Sequence, residues 1–216
     1  MIVTKYITIV NMTMPSSWIA LVTAFVIAYA AIRIRYGKRI SGVLVDSIFY
    51  FILVWKLSVI VTDFGHVIKS PLSIIYFNGG QIGFYLGLLA AGITILIELK
   101  KNGLHKLERI ALFTGFVTIQ AVYQIMIVLL NEGPFIAKIV TIVMFTMFAL
   151  YVWILFEYMN GSLIQLGLLF TVVHLFVASF QPVGILGTSV IATLLISLFS
   201  VLVLFKGLKT GLEETL

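Results

Sequence analysis

The stretch YFNGGQIGFYLGLLAAG, residues 76–92, opens an apolar run with Gly79, Gly80, Gly83, Gly87 and Gly92 and the small pair Ala90 and Ala91. Glycine weakens a helix in water, so its concentration here asks for a reason. Gly79, Gly83, Gly87 and Ala91 stand at strict four-residue spacing. In a membrane helix that spacing makes a smooth face on which another backbone can approach closely. Gly79 and Gly80 also precede the run, at the expected helix start, where exposed N–H groups suit an anionic head group. A packing face and a close backbone approach to a ligand are compatible readings.

The run is one of seven. The chain of 216 residues is 62% hydrophobic and 10% charged, against about 45–50% and about 25% for soluble domains. A span needs roughly 20 apolar residues. Apolar runs fall at about 15–32, 44–62, 82–98, 110–130, 135–156, 162–180 and 183–205. The expected fold is all-α, a single integral membrane domain over 1–216 with seven transmembrane helices. No leftover segment reaches the roughly 50 residues of a soluble domain, so any site lies among the helices or at their ends. The absence of cysteine excludes disulfides, thiol catalysis and cysteine metal sites. The N-terminal MIVTKYITIVNMTMPSSW has one lysine, a short apolar run and no small-x-small cleavage site. It reads as a membrane-surface segment leading to the first span rather than as a signal peptide.

Basic residues set the expected orientation. Arg33, Arg35, Lys38 and Arg39 follow the first span, Lys100, Lys101, Lys106 and Arg109 the third, and Lys206 and Lys209 the seventh. The opposite side holds only Lys5, Lys69 and Lys138. Positive-inside bias therefore predicts the N-terminus outside and the C-terminus in the cytoplasm. Topology accounts for the net charge of +6, and no nucleic-acid partner is expected. Pro15, Pro71, Pro134 and Pro182 then fall at outer ends, near helix starts that tolerate proline's missing N–H. The two halves show no internal repeat of the kind that builds many transporters.

Few side chains carry chemistry. Lys56, in FILVWKLSVIV, lies about two thirds along the second span. An ionisable group there is a functional candidate, able to hold a lipid phosphate as a point charge, or a lysine that snorkels to the head groups. His174 lies mid-span in FTVVHLFVASF, and Gln120 and Gln124 share a face of the fourth span. All three suit hydrogen bonds between helices. The longest outer loop, residues 63–80, gathers Asp63, His66, Lys69, Tyr76 and Asn78, with Gln81 and Tyr85 just beyond it. His66 with Asp63 is a candidate acid–base pair, although a polar loop is also the ordinary way to join two spans. The histidine and carboxylate spacing of a metal site is absent, so neither metal nor cofactor is expected.

Ser70-Pro71-Leu72, then Gly79-Gly80, then Phe84-Tyr85-Leu86-Gly87-Leu88 resembles the outer start of the third span in the bacterial prolipoprotein diacylglyceryl transferases. DSIFYFILVWKL looks like that family's basic-residue span, with Lys56 in place of arginine, and Gln181-Pro182 looks like part of its Arg-x-Pro element. The resemblance implies seven spans, a bacterial plasma-membrane location, and transfer of diacylglyceryl from phosphatidylglycerol to a lipoprotein precursor. It implies an anionic phospholipid partner held by Lys56, Gly79, Gly80 and Gln120, with His66 or Tyr85 in proton transfer. The chain departs from the family where Tyr85 replaces a histidine, where Gln120, Val122 and Tyr123 replace an arginine-glycine-asparagine signature, and where Phe180 replaces an arginine. Glutamine and phenylalanine supply neither the cations nor the base that the transfer needs. The implied activity thus divides between a divergent enzyme and a non-catalytic lipid-binding or membrane-assembly relative, with a small-molecule transporter as the third reading.

Overall fold

The computed structural model describes residues 5–9, 12–70, 79–103, 105–154 and 163–213; the side chains of Ile9, Met12, His66, Lys106 and residues 203–213 lie outside that description. It is 86% helical. A hairpin of β1 (Tyr6–Ile9) and β2 (Met12–Pro15) leads into α1 (Ser16–Tyr36). Then come α2 (Lys38–Leu57), the short α3 (Val59–Thr62) and α4 (Phe64–Lys69), and α5 (Gly80–Asn102). The chain continues with α6 (Lys106–Leu130), α7 (Phe135–Ile154), α8 (Leu163–Phe180) and α9 (Thr188–Glu213).

Six helices among the described residues are long and apolar enough to cross a membrane. They are α1, α2 continued through Thr62, α5, α6 from Leu107, α7 and α8. α9 adds a further apolar stretch over Thr188–Leu202. The expected runs coincide with these helices closely at α7 and α8, less so elsewhere. α2 begins at Lys38 rather than near 44, because the chain turns only at Gly37 (φ 85°) and the polar residues after it form the helix's first turn. α9 begins at Thr188 rather than near 183, because Gly184 takes a positive φ of 68° inside a turn closed by its N–H to Gln181 O. The N-terminal segment is a β-hairpin, with Thr8 facing Thr13 at 3.3 Å between side-chain oxygens.

The elements group into two compact units, residues 36–109 and residues 1–35 with 110–216. In the first, Gly79, Gly83 and Gly87 bring α5 against α2. A Cβ on Gly79 or Gly83 would overlap Ser58 Oγ, and one on Gly87 would stand 2.8 Å from the Phe51 carbonyl oxygen. Phe84 sets its ring edge-on to Phe51 and Trp55, at 5.5 and 6.2 Å between centroids. At the other end Arg39 pairs with Glu108 at 2.9 Å and donates to the Gly103 carbonyl at 3.1 Å, closing the C-terminus of α5.

In the second unit α6 is the most buried of the described spans. Its Phe113, Val117 and Ala121 pack with Phe145, Phe148 and Val152 of α7 and Phe170 and Val177 of α8. Phe148 stacks on Phe170 at 5.1 Å. Lipid tails are as apolar as these side chains, so close packing and hydrogen bonds, rather than burial itself, hold such helices together. The hairpin is tied to the end of α6 through Asn131, whose Oδ1 accepts from the Lys5 N–H and the Ser16 hydroxyl, each at 2.9 Å.

Candidate functional site

Two sets of polar groups stand inside the spans, one in each unit. In residues 36–109 the set surrounds the junction of α2 and α3. The Ser58 hydroxyl donates to the Trp55 carbonyl at 2.7 Å, and the Gly79 N–H reaches the same carbonyl from the start of α5 at 3.2 Å. In return Trp55 Nε1 donates to the Gly80 carbonyl at 3.1 Å. Gly80 makes this possible with a φ of 59°, a conformation that disfavours any side chain. Lys56, next to Trp55, is half-buried. Lys56 thus follows directly in sequence on a tryptophan anchored to Gly79 and Gly80.

These contacts sharpen the role of the glycines. Gly79 directs its N–H to Trp55, so its geometry is accounted for by helix pairing. Tyr85 is half-buried in α5, its ring edge-on to Phe84 at 5.8 Å. His66 falls in α4, with its side chain outside the described residues. Pro71, Leu72, Tyr76 and Asn78 of the outer loop lie outside them altogether.

The set in the second unit centres on His174, which is fully buried. Its Nε2 stands 3.2 Å from the Gln124 side-chain nitrogen and its Nδ1 stands 2.7 Å from Thr193 Oγ1. An amide nitrogen only donates, so Nε2 accepts, and Nδ1 carries the proton that Thr193 receives. Gln181 Nε2 donates to Gln124 Oε1 at 3.3 Å and to Thr141 Oγ1 at 3.1 Å. Phe145 meets the imidazole edge-on at 5.1 Å. Four helices and the turn after α8 thereby share one directed chain of hydrogen bonds. Gln120, one turn before Gln124, donates to the Ser189 carbonyl at 3.2 Å.

Reasoning from sequence named Gln120, Gln124 and His174, and it noted Gln181 only as part of a resembling element. It missed Thr141 and Thr193. A threonine in a span bonds its own helix as readily as a neighbour, and Thr141 does donate to the Ala137 carbonyl at 2.7 Å, so no local signal separates the two roles. No group of three or more His, Asp and Glu side chains suited to a metal ion occurs among the described residues.

The fold and these sites define a multi-pass α-helical membrane protein. Comparison with protein-family models, curated proteins and solved structures finds no match to this chain.

Proposed function

We propose that this chain is a seven-span protein of the bacterial plasma membrane, N-terminus outside, that binds an anionic phospholipid at the Lys56 end of the α2–α5 pair without turning it over. The observation that carries the reading is the half-buried Lys56 inside an apolar span, beside the anchored Trp55 and Ser58. A lysine's long stem carries its ammonium from that depth toward the head groups, where it holds a phosphate as a point charge. A head-group phosphate meets it from the adjacent leaflet while acyl chains lie along the exposed apolar face. The resemblance to the diacylglyceryl transferases supports the same class of ligand. The transfer step itself has no support from Tyr85, Gln120 or Phe180, which offer no cation to a phosphate and no strong base to a thiol.

The test is mass spectrometry of phospholipid retained by gently purified protein. Lys56→Ala should lower the retained phosphatidylglycerol several-fold relative to phosphatidylethanolamine, and Lys56→Arg should restore it. Equal retention by Lys56→Ala would sink the lipid site. Transfer of labelled diacylglyceryl to a lipobox peptide would replace binding with catalysis.

A further inference from the structure

α2 carries a carboxylate, Asp46, near the start of its apolar run and two turns past the start of the helix. Asp46 stands about 12 Å along the helix from Lys38 and about 24 Å from Thr62, at 1.5 Å per residue. The hydrocarbon core is about 30 Å thick, so a helix of this length leaves Asp46 several ångströms inside it. Asp46 is exposed. Among the described residues it makes no hydrogen bond or ion pair. The serines of the same helix behave differently: Ser41, Ser47 and Ser58 are buried, and each donates to a carbonyl of its own helix. A short carboxylate side chain reaches the head groups far less easily than a lysine does, and an unpaired charge in hydrocarbon is costly.

The surface around Asp46 is shaped for a neighbour. Gly42 lies one turn before it on the same face, and a Cβ built there meets nothing within 4 Å. Phe49 and Tyr50 follow one turn after, 56% and 47% exposed, and Leu53 and Leu57 continue the face. The opposite face, Leu44, Phe51 and Trp55, is buried, as are Val43 and Ser47 at the flanks. The exposed stripe thus has an open glycine notch, a carboxylate and then bulky side chains, the pattern on which a second transmembrane helix crosses closely.

We propose that this face docks a transmembrane helix of a different protein that carries a lysine or arginine at the depth of Asp46 and crosses α2 at Gly42. Charge complementarity selects the occupant. A second copy of this chain in the same orientation would set Asp46 against Asp46, and the cation of its α2, Lys56, would stand about 15 Å further along. A lipid amine stays at head-group level and does not reach the carboxylate. The inference is independent of the lipid reading at Lys56.

The test places the full-length chain in phosphatidylcholine vesicles, labelled through Lys101→Cys, which is selective because the chain has no other cysteine. The probes are apolar host helices of about 20 residues with a lysine, a glutamate or only leucine at the matched depth, and energy transfer reads the association. The lysine helix should associate about tenfold more tightly than the leucine helix. Asp46→Asn should abolish that preference, Gly42→Leu should weaken it, and Asp46→Lys should move it to the glutamate helix. Circular dichroism confirms that each variant keeps its helices. Equal binding of the lysine and leucine helices, or an unchanged preference in Asp46→Asn, overturns the proposal. Energy transfer between two copies of the chain that Asp46→Asn removes, with no preference for the lysine helix, overturns it in favour of self-association.

Discussion

Residues 36–109 and the unit built from 1–35 and 110–216 hold their helices together by different means. In the first, glycines remove side chains so that α5 reaches the backbone of α2, and the contact is chiefly steric, with Trp55 bonded to Gly79 and Gly80 at one end. In the second, His174, Gln124, Gln181, Thr141 and Thr193 join helices through directed hydrogen bonds around an aromatic core. Steric contacts fail abruptly when volume is added. Hydrogen-bond networks fail by degrees, because the membrane-embedded unfolded state also finds partners for polar groups.

Adding volume to the steric pair should therefore have the largest effect. Gly87→Leu drives a side chain into the Phe51 carbonyl, which is backbone and cannot rotate away. The expected loss is about 3 kcal/mol, at the upper end of overpacking penalties, read as a lowered midpoint in denaturing-detergent titration. A midpoint within error of the parent would show that the α2–α5 contact is looser than its geometry. Gly83→Ala sharpens the same point. Its methyl would meet the Ser58 hydroxyl first, so Ser58→Ala should recover part of the loss at 83 and none of the loss in Gly87→Ala.

Next comes His174→Ala, which removes a fully buried ring and leaves Gln124 and Thr193 without their shared partner. About 2–3 kcal/mol should be lost through the cavity and the unmatched groups. A single hydrogen bond counts for less. Thr193→Val should cost about 0.6 kcal/mol, the average for such bonds in membranes, and a loss as large as that of His174→Ala would mean the network acts as one unit. The smallest effect belongs to the surface. Lys5 and Glu132 lie 3.8 Å apart with both side chains well exposed, so Glu132→Gln should change the midpoint by less than about 0.5 kcal/mol.

Much of this architecture is legible in the sequence, and the illegible parts share a cause. Hydropathy locates α7 and α8 almost to the residue because a span is defined by length and apolarity alone. It misses the start of α2 because Lys38-Arg39-Ile40-Ser41 is polar, and a helix end at the membrane surface has no reason to be apolar. The hairpin escapes because Ile7, Thr8 and Ile9 form too short an alternation to stand out beside long apolar runs. The four-residue glycine period is written in one helix and is readable there. Its targets, Ser58, Trp55 and Phe51, belong to another helix, and nothing in the period names them. The same holds for His174, whose position mid-span is evident while its partners Thr193 and Gln124 are set by which helices become neighbours. Asp46 escapes the sequence reading because it stands near the start of the second apolar run, and its depth appears only once α2 is seen to begin at Lys38.

Asn131 has a consequence for the order in which the molecule is made. Its side chain latches Lys5 and Ser16, residues that leave the ribosome more than a hundred positions earlier. The α2–α5 pair needs only the contiguous segment 36–109. During synthesis that pair can close while the amino-terminal hairpin still waits for its anchor. A photo-crosslinking side chain in place of Phe84, whose ring faces Phe51 and Trp55, should reach α2 in chains halted before residue 131. Protection of the hairpin from protease should begin only in longer ones.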